Sequence, residues 1–461
     1  MRFAPGAPPR LEIRALYLLE NSGNSELAFI DVNFPEARAY GRQNTRAQWS
    51  GRDAAMAKSP EATQAPGFDR LRIAADSPWG QQQRRELLIA YDFVAPEAAA
   101  AQITLGEREF HLGSRGWSPA LLPPKHFLTS APQRPDKTLL TVRVPPDFRV
   151  LARGAPAGRK SSGNEIERRF LLRANDPAPF VVAGRYTPSA AKARAAVFWT
   201  LEPLSGDAAS AAARITEAWS ALETNFGALD KNIGNPHIVE SPELPAERPG
   251  SEPAVAFPGG ALVGQALLQK GAGSGDLVES VTHALAHDWF GDDFYFLPEA
   301  AMGMGEGLPE YAAIVVGEAQ AGEPARRKSV AAYLAEYDEA RKHAPEKPLA
   351  RTSLTDPPEQ RRIALAKAPL FYVALEDLCG ERPVRNGIER LATLLRGQEA
   401  GYDDLRAALE MATGKDLAKP FHAWLYEKEI PAEFRARYQT GGAAPPQASS
   451  ARISSSSRRA T

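Results

Sequence analysis

The sequence has a single cysteine, Cys379, which excludes an internal disulfide and any zinc site built from cysteines. It has no surplus of either charge: 55 lysines and arginines stand against 56 aspartates and glutamates. Such a chain has no bulk attraction to nucleic acid or to an anionic membrane surface. No apolar run reaches the length of a membrane span. The first residues, MRFAPGAPPRLEIR, hold no apolar segment of the kind a secretion signal carries. The expectation is therefore a cytoplasmic protein without a membrane span or a nucleic-acid partner. A trimmed N-terminus would leave a periplasmic or secreted location open.

What is present divides the chain. RLEIRALYLLEN, ELAFIDVNF, RRELLIAYDF, KTLLTVRVP and ERRFLLR are short and rich in β-branched or aromatic residues. Pro, Gly, Asn or Asp bound them, which is the pattern of a β-sandwich over about residues 1–190. After VFWTLEPL the period changes. DAASAAARITEAWSALETNFG reads as helix, PHIVES as a short strand, and AVAFPGGALVG as a strand broken by a glycine pair. From Gly275 to about Ile430 nearly everything reads as helix. The fold class expected is α+β, an N-terminal β-sandwich followed by a mostly helical domain over 191–437. The tail 438–461, small, polar and repetitive, reads as disordered.

The stretch THALAHDWFGDD, Thr282 to Asp293, carries the chemistry. In a helix from about Gly275 to Gly291, Leu277, Val278, Val281, Leu285 and Trp289 form an apolar face. Glu279, His283 and His287 recur every fourth residue on another face. Residues four apart on a helix are neighbours, so both imidazoles can converge on one ion. A tetrahedral zinc site with an open position needs a third protein ligand. Glu306, in AMGMGEGLPEYAAIVVGEAQ, is available as that ligand. Glu310, one turn on, can hold a ligand imidazole in one tautomer. His237, His343 and His422 stand alone and read as ordinary surface or core histidines. The PGG at 258–260 reads as a turn or bulge, because no lysine-bearing helix follows as in a phosphate loop.

These residues resemble the membrane alanyl aminopeptidase family, gluzincin zinc metallopeptidases with a thermolysin-like catalytic domain. The family pattern is His-Glu-Leu-Ala-His followed by Trp-Phe-Gly-Asn, and later Asn-Glu-Gly with a helix after it. This chain has HALAHDWFGD and GEGLPEYAA in those places. YDDLRAALEMATGKDLAKPFHAWL is similar to the end of the family's catalytic domain, and RGWSPALLP to a Trp-Tyr-Pro segment of its β-sandwich. The resemblance covers about Ala191 to Ile430 most specifically. It implies zinc at His283, His287 and Glu306.

The resemblance fails at three positions. The family's general base falls on Ala284. Its oxyanion-stabilising tyrosine falls on Leu365, with Lys367 at the neighbouring lysine and Tyr372 about two helical turns further on. Its Gly-x-Met-Glu-Asn strand, which binds a substrate amino terminus, is replaced by AVAFPGGALV, which has no acid. A positioned acid–base group is worth about 10²–10⁴ in rate, and one oxyanion donor about 10²–10³. If independent, the two losses together amount to roughly 10⁴–10⁷, although such effects are not strictly additive. Glu279, one turn before His283, leans along the helix away from it and reads as helix-terminal charge. Asp288 and Asp292 are the other acids nearby. The expectation is a zinc-holding peptidase homologue with impaired hydrolysis that keeps a peptide or protein in the old substrate cleft. An active hydrolase with altered catalytic residues, and an engineered alanine at 284, remain alternatives.

Overall fold

The computed structural model describes the chain apart from residues 36–40, 61–67, 95–102, 114–116, 122–135, 174–178, 190–194, 205–207, 230–233, 243, 245–253, 271–274, 291–294, 355, 396–397 and 440–461. The expected tail from Thr440 onward, Asp292, and the Pro-rich connection after Leu244 thus lie outside the described residues. No helix among the described residues is long and apolar enough to cross a membrane.

The fold is α+β: a β-sandwich followed by a mostly helical part. An eight-stranded sheet runs in the order Ala155–Ser162, Glu165–Arg173, Lys137–Val144, Arg2–Ala4, Arg10–Glu20, Arg84–Val94, Arg42–Trp49, Arg52–Asp53. Two four-stranded sheets complete this part. One is built around Val181–Gly184 and Glu109–Leu112, the other around Leu27–Pro35 and Phe68–Trp79. Alternation along the strands sends Leu11 and Ile13 inward and Arg14, Leu16 and Leu18 to water. The inward residues join Phe3, Phe34, Trp49, Tyr91, Phe93 and Phe110 in one apolar core. Trp117 is buried there and donates from Nε1 to the Pro179 carbonyl at 2.9 Å.

The second part begins with a five-stranded sheet in the order Thr187–Pro188, Val197–Thr200, His237–Ser241, Gly260–Gly264, Ala254–Phe257. The strand broken by a glycine pair is a hairpin, with Ala254–Phe257 antiparallel to Gly260–Gly264. Helix Gly275–Phe290, the histidine helix, packs on Ala254–Phe257, on helix Ala208–Phe226 and on helix Gly307–Ala321. Helices Glu323–Ala340, Pro358–Cys379 and Glu381–Leu394 build outward from there. A single apolar core joins them, from Ala196 to Phe434. A smaller cluster of Phe180, Val182 and Tyr186 with Val239, Phe257 and Leu262 ties the sandwich to the second sheet.

Two buried polar features carry clear energetic consequences. Glu376 is fully buried and accepts from Arg385 Nε at 2.7 Å, from Tyr311 Oη and from Arg326 Nη1. Its neutralisation of two guanidiniums holds three helices together. Glu376→Ala should cost about 1–3 kcal/mol in a urea melt, because it leaves the buried Tyr311 hydroxyl without its acceptor, while Glu318 still faces both Arg326 and Arg385. His111, on Glu109–Leu112, is also buried, and neither ring nitrogen has a hydrogen-bond partner among the described residues. Burial lowers its pKa from 6.5 to about 3. Below pH 6.5 the unfolded chain takes up a proton that the folded chain refuses until about pH 3. This contribution is therefore full above pH 6.5 and lost as pH falls across that window, at up to about 1.4 kcal/mol per unit. His111→Leu should flatten the fall in stability between pH 6 and pH 4, measured by urea melts of both proteins.

Candidate metal centre

The histidine helix places His283 and His287 one turn apart, with their Nε2 atoms 3.3 Å from each other. Glu306 comes from the next segment. Its Oε2 lies 3.8 Å from His283 Nε2 and 3.7 Å from His287 Nε2. His283 is buried, while Glu306 keeps an open side. These three are the only group of metal-binding side chains among the described residues whose ligand atoms meet in this way. The fit to zinc can be tested on the distances. Bonds of about 2.0–2.1 Å in a tetrahedron put ligand atoms about 3.3–3.4 Å apart. The observed triangle is only slightly wider. Two ring nitrogens and a carboxylate oxygen this close can share a cation, or a proton carried on one ring nitrogen. The donor set, two imidazole nitrogens and one carboxylate, suits zinc with an open fourth position.

Glu306 is held by backbone packing. It ends a π-helical turn, Ala301–Glu306, that leads directly into helix Gly307–Ala321. The small residues AMGMGE therefore form a wide helical turn. Such turns often mark functional sites. Its glycines answer to close contacts. A Cβ at Gly303 would lie 2.0 Å from Tyr402 Oη, and one at Gly307 would lie 2.7 Å from Ala368 Cβ. Tyr372 Oη donates to the Gly303 carbonyl at 2.8 Å. Upstream, Tyr295–Phe296 pairs with Glu399–Ala400, so residues just before Tyr402 brace the same turn.

Glu310 stands behind the ligands. Its Oε1 lies 3.3 Å from His283 Nδ1, and its Oε2 accepts a hydrogen bond from Tyr333 Oη. Burial and the charges of Glu310 and Glu279 push the Tyr333 phenol well above its usual pKa, so it stays protonated. Glu279 itself is exposed. Asp288 turns away from the trio and accepts from the Gly259 amide at 2.8 Å, pinning the turn of the 254–264 hairpin.

The positions where the resemblance expects other groups hold the following side chains. Ala284 is 2% exposed and belongs to the apolar core. Leu365 is half-buried against the same core. Lys367 is buried; its ammonium donates to the Glu427 carbonyl at 2.9 Å and to Glu346 Oε1 at 3.3 Å. Desolvation holds its pKa below the usual lysine value. Tyr372 is fully buried, and its hydroxyl is committed to Gly303. The lone histidines have ordinary partners. His237 Nδ1 accepts from Trp199 Nε1 at 3.0 Å, and burial lowers its pKa to about 4. His343 and His422 meet Glu339 and Glu427 at the surface.

Solved structures resemble the chain over nearly its whole length. The M1 zinc metallopeptidase from Deinococcus radiodurans has a TM-score of 0.65 at 16% sequence identity, covering 94% of this chain and 93% of that one. A glutamate-to-alanine mutant of an M1 zinc metallopeptidase from the same organism, bound to a Tyr-Ser-Ala substrate, matches with a TM-score of 0.65 at 16% identity over the same shares. Yeast LTA4 hydrolase in complex with bestatin has a TM-score of 0.66 at 14% identity, covering 94% of this chain and 67% of that one. The fold is that of the M1 zinc metallopeptidases. No family model matches the sequence, and no curated protein matches it. Among residues that matter to this M1 fold's candidate site, sequence reasoning did not find Tyr333 or Tyr402. Tyr333 stands on a different helix and Tyr402 far along the chain, and neither lies in a local motif.

The glycine contact yields a direct test. Gly303→Ala should destabilise the chain by about 1–3 kcal/mol through overpacking. It should also weaken zinc uptake by displacing Glu306. Gly303→Ala combined with Tyr402→Phe should recover part of both losses, read by thermal melts and zinc titration.

Proposed function

We propose that this chain is a zinc-holding homologue of the M1 metallopeptidases that has lost efficient peptide hydrolysis. It keeps a peptide or a protein segment in the former substrate cleft. Residues 1–190 serve as the β-sandwich domain and 191–437 as the metallopeptidase-like domain. The zinc ligands are His283, His287 and Glu306, with Glu310 behind His283. One observation carries the reading: three ligand atoms converge within 3.8 Å of each other while alanine stands directly after the first histidine.

Zinc, when bound, supplies Lewis acidity toward a carbonyl oxygen. The remaining work of hydrolysis falls to the chain's own groups. No carboxylate at position 284 moves a proton to the leaving amine. Leu365 has no hydroxyl to donate to an oxyanion. The 254–264 hairpin offers no acid to a substrate amino terminus. Binding needs none of these proton transfers. The Tyr-Ser-Ala complex of a glutamate-to-alanine M1 metallopeptidase supports the idea that an M1 frame altered in this way still holds a peptide.

Purified without added metal, the chain should carry about one zinc per molecule by elemental mass spectrometry, and His283→Ala should carry none. Turnover of aminoacyl anilides should match the His283→Ala background. Ala284→Glu restores only the base, so it should remain at least about 10²-fold short of a working aminopeptidase. Peptidase turnover by the unaltered chain that His283→Ala abolishes would replace this reading with an active hydrolase. Strong activity of Ala284→Glu would instead identify an engineered alanine.

A further inference from the structure

Arg168 lies on strand Glu165–Arg173, in the row that faces the interior of the sandwich. Phe170 and Leu172 share that row and pack into the core, and the cross-strand neighbour of Arg168 on one side is the buried Val142. On its other side the cross-strand neighbour is Arg159, on the edge strand Ala155–Ser162. Like charges directly opposite each other in a sheet are destabilising. A third cation, Arg149, stands on strand Arg149–Ala152, the edge of the sheet built around Val181–Gly184. Burial and the charges of Arg159 and Arg149 hold the Arg168 pKa below the usual arginine value. Among the described residues none of the three makes an ion pair or a side-chain hydrogen bond. The carboxylates near them in the chain are engaged elsewhere. Glu167 accepts from Arg143 at 2.8 Å and from Arg169 at 2.7 Å, Glu165 lies 2.6 Å from Arg2, and Asp147 lies 2.7 Å from Arg185. Arg149 and Arg159 are exposed, so the group opens to water beside the edges of two sheets.

We propose that Arg149, Arg159 and Arg168 form a binding site for a small multivalent oxyanion, either free phosphate or the phosphate group of a monoester. The charge calls for one, because three cations without a carboxylate among them repel one another until an anion sits between them. The shape fits as well: a guanidinium presents paired N–H donors that match two oxygens of a tetrahedral anion. Core packing behind Arg168 keeps water from one side, which strengthens the attraction. Charged side chains on edge strands also block pairing with another chain. That role accounts for Arg149 and Arg159 and gives no reason for Arg168, which lies one strand in, on the core-facing row. The site belongs to the sandwich and is independent of the zinc reading.

The test is calorimetric titration of the full chain, stripped of metal, with sodium phosphate and with sodium chloride at the same ionic strength. Phosphate should bind saturably at a single site, and chloride should give no saturable heat. Arg168→Gln and Arg159→Gln should each weaken phosphate binding by about 10-fold or more, the worth of a lost hydrogen bond between charged groups. Arg168→Lys keeps the charge and loses the fork, so it should recover only part of that loss. Melting temperatures add a reading that changes sign. Without phosphate, Arg159→Gln should melt above the unaltered chain, because a like-charge pair is gone. In saturating phosphate it should melt below it, because only the unaltered chain gains the full stabilisation of a bound anion. O-phosphoserine titrated beside inorganic phosphate separates the two sources: the tighter binder names the ligand, and either supports the site. No saturable binding of either anion overturns the proposal, and self-association of Arg159→Gln would then mark the arginines as guards of the sheet edge. Phosphate binding that is unchanged in the Arg159→Gln, Arg168→Gln double variant overturns it equally.

Discussion

Three electron-rich atoms crowd into one small space between two helices, and much of the local structure serves that crowding. Two imidazole nitrogens and a carboxylate oxygen at 3.3–3.8 Å repel one another unless a cation or a shared proton sits among them. Holding them there takes rigid neighbours. The histidine helix is packed between an edge strand and two other helices. The glutamate is delivered by a π-turn whose Gly303 meets Tyr402, followed at once by Gly307 against Ala368. Behind them Glu310 lies 3.3 Å from His283 Nδ1 and accepts a hydrogen bond from Tyr333. The frame for a metal is thus supported from several sides, while positions 284 and 365 hold only hydrocarbon. A binding frame kept without its proton-transfer groups is what the proposed function describes.

Much of the fold was legible in the sequence because it follows from burial. Arg10–Glu20 and Arg84–Val94 are short runs rich in apolar and aromatic residues, and both form central strands of the large sheet. The histidine helix was legible from its apolar face and its four-residue spacing. Arg42–Trp49, RQNTRAQW, was not, because much of its side-chain surface is polar and faces water. Ala155–Ser162 is exposed at every residue and exists as a strand because Glu165–Arg173 pairs with it. Such strands are specified by a neighbour's backbone, which leaves little trace in their own composition.

The site divides along the same line. The spacing of His283, His287 and Glu306 showed which side chains could meet, since each lies on or beside a helix with a readable face. It could not show how Glu306 is aimed. That depends on Gly303 and Gly307 admitting side chains from residues 402 and 368, far along the chain. It also could not show what holds Glu310, because Tyr333 arrives from a separate helix. Local patterns announce the groups that carry chemistry. The groups that orient them are contributed by tertiary packing and carry no motif.

The contact between Gly303 and Tyr402 bears on how the site comes into being during synthesis. Both histidines and Glu306 emerge from the ribosome close together, yet the bracket that fixes the glutamate arrives roughly a hundred residues later, a long loop to close. A nascent chain that ends before Tyr402 has every ligand and lacks the clamp. On the proposed zinc reading, metal capture in the final geometry would follow the docking of the segment that carries Tyr402.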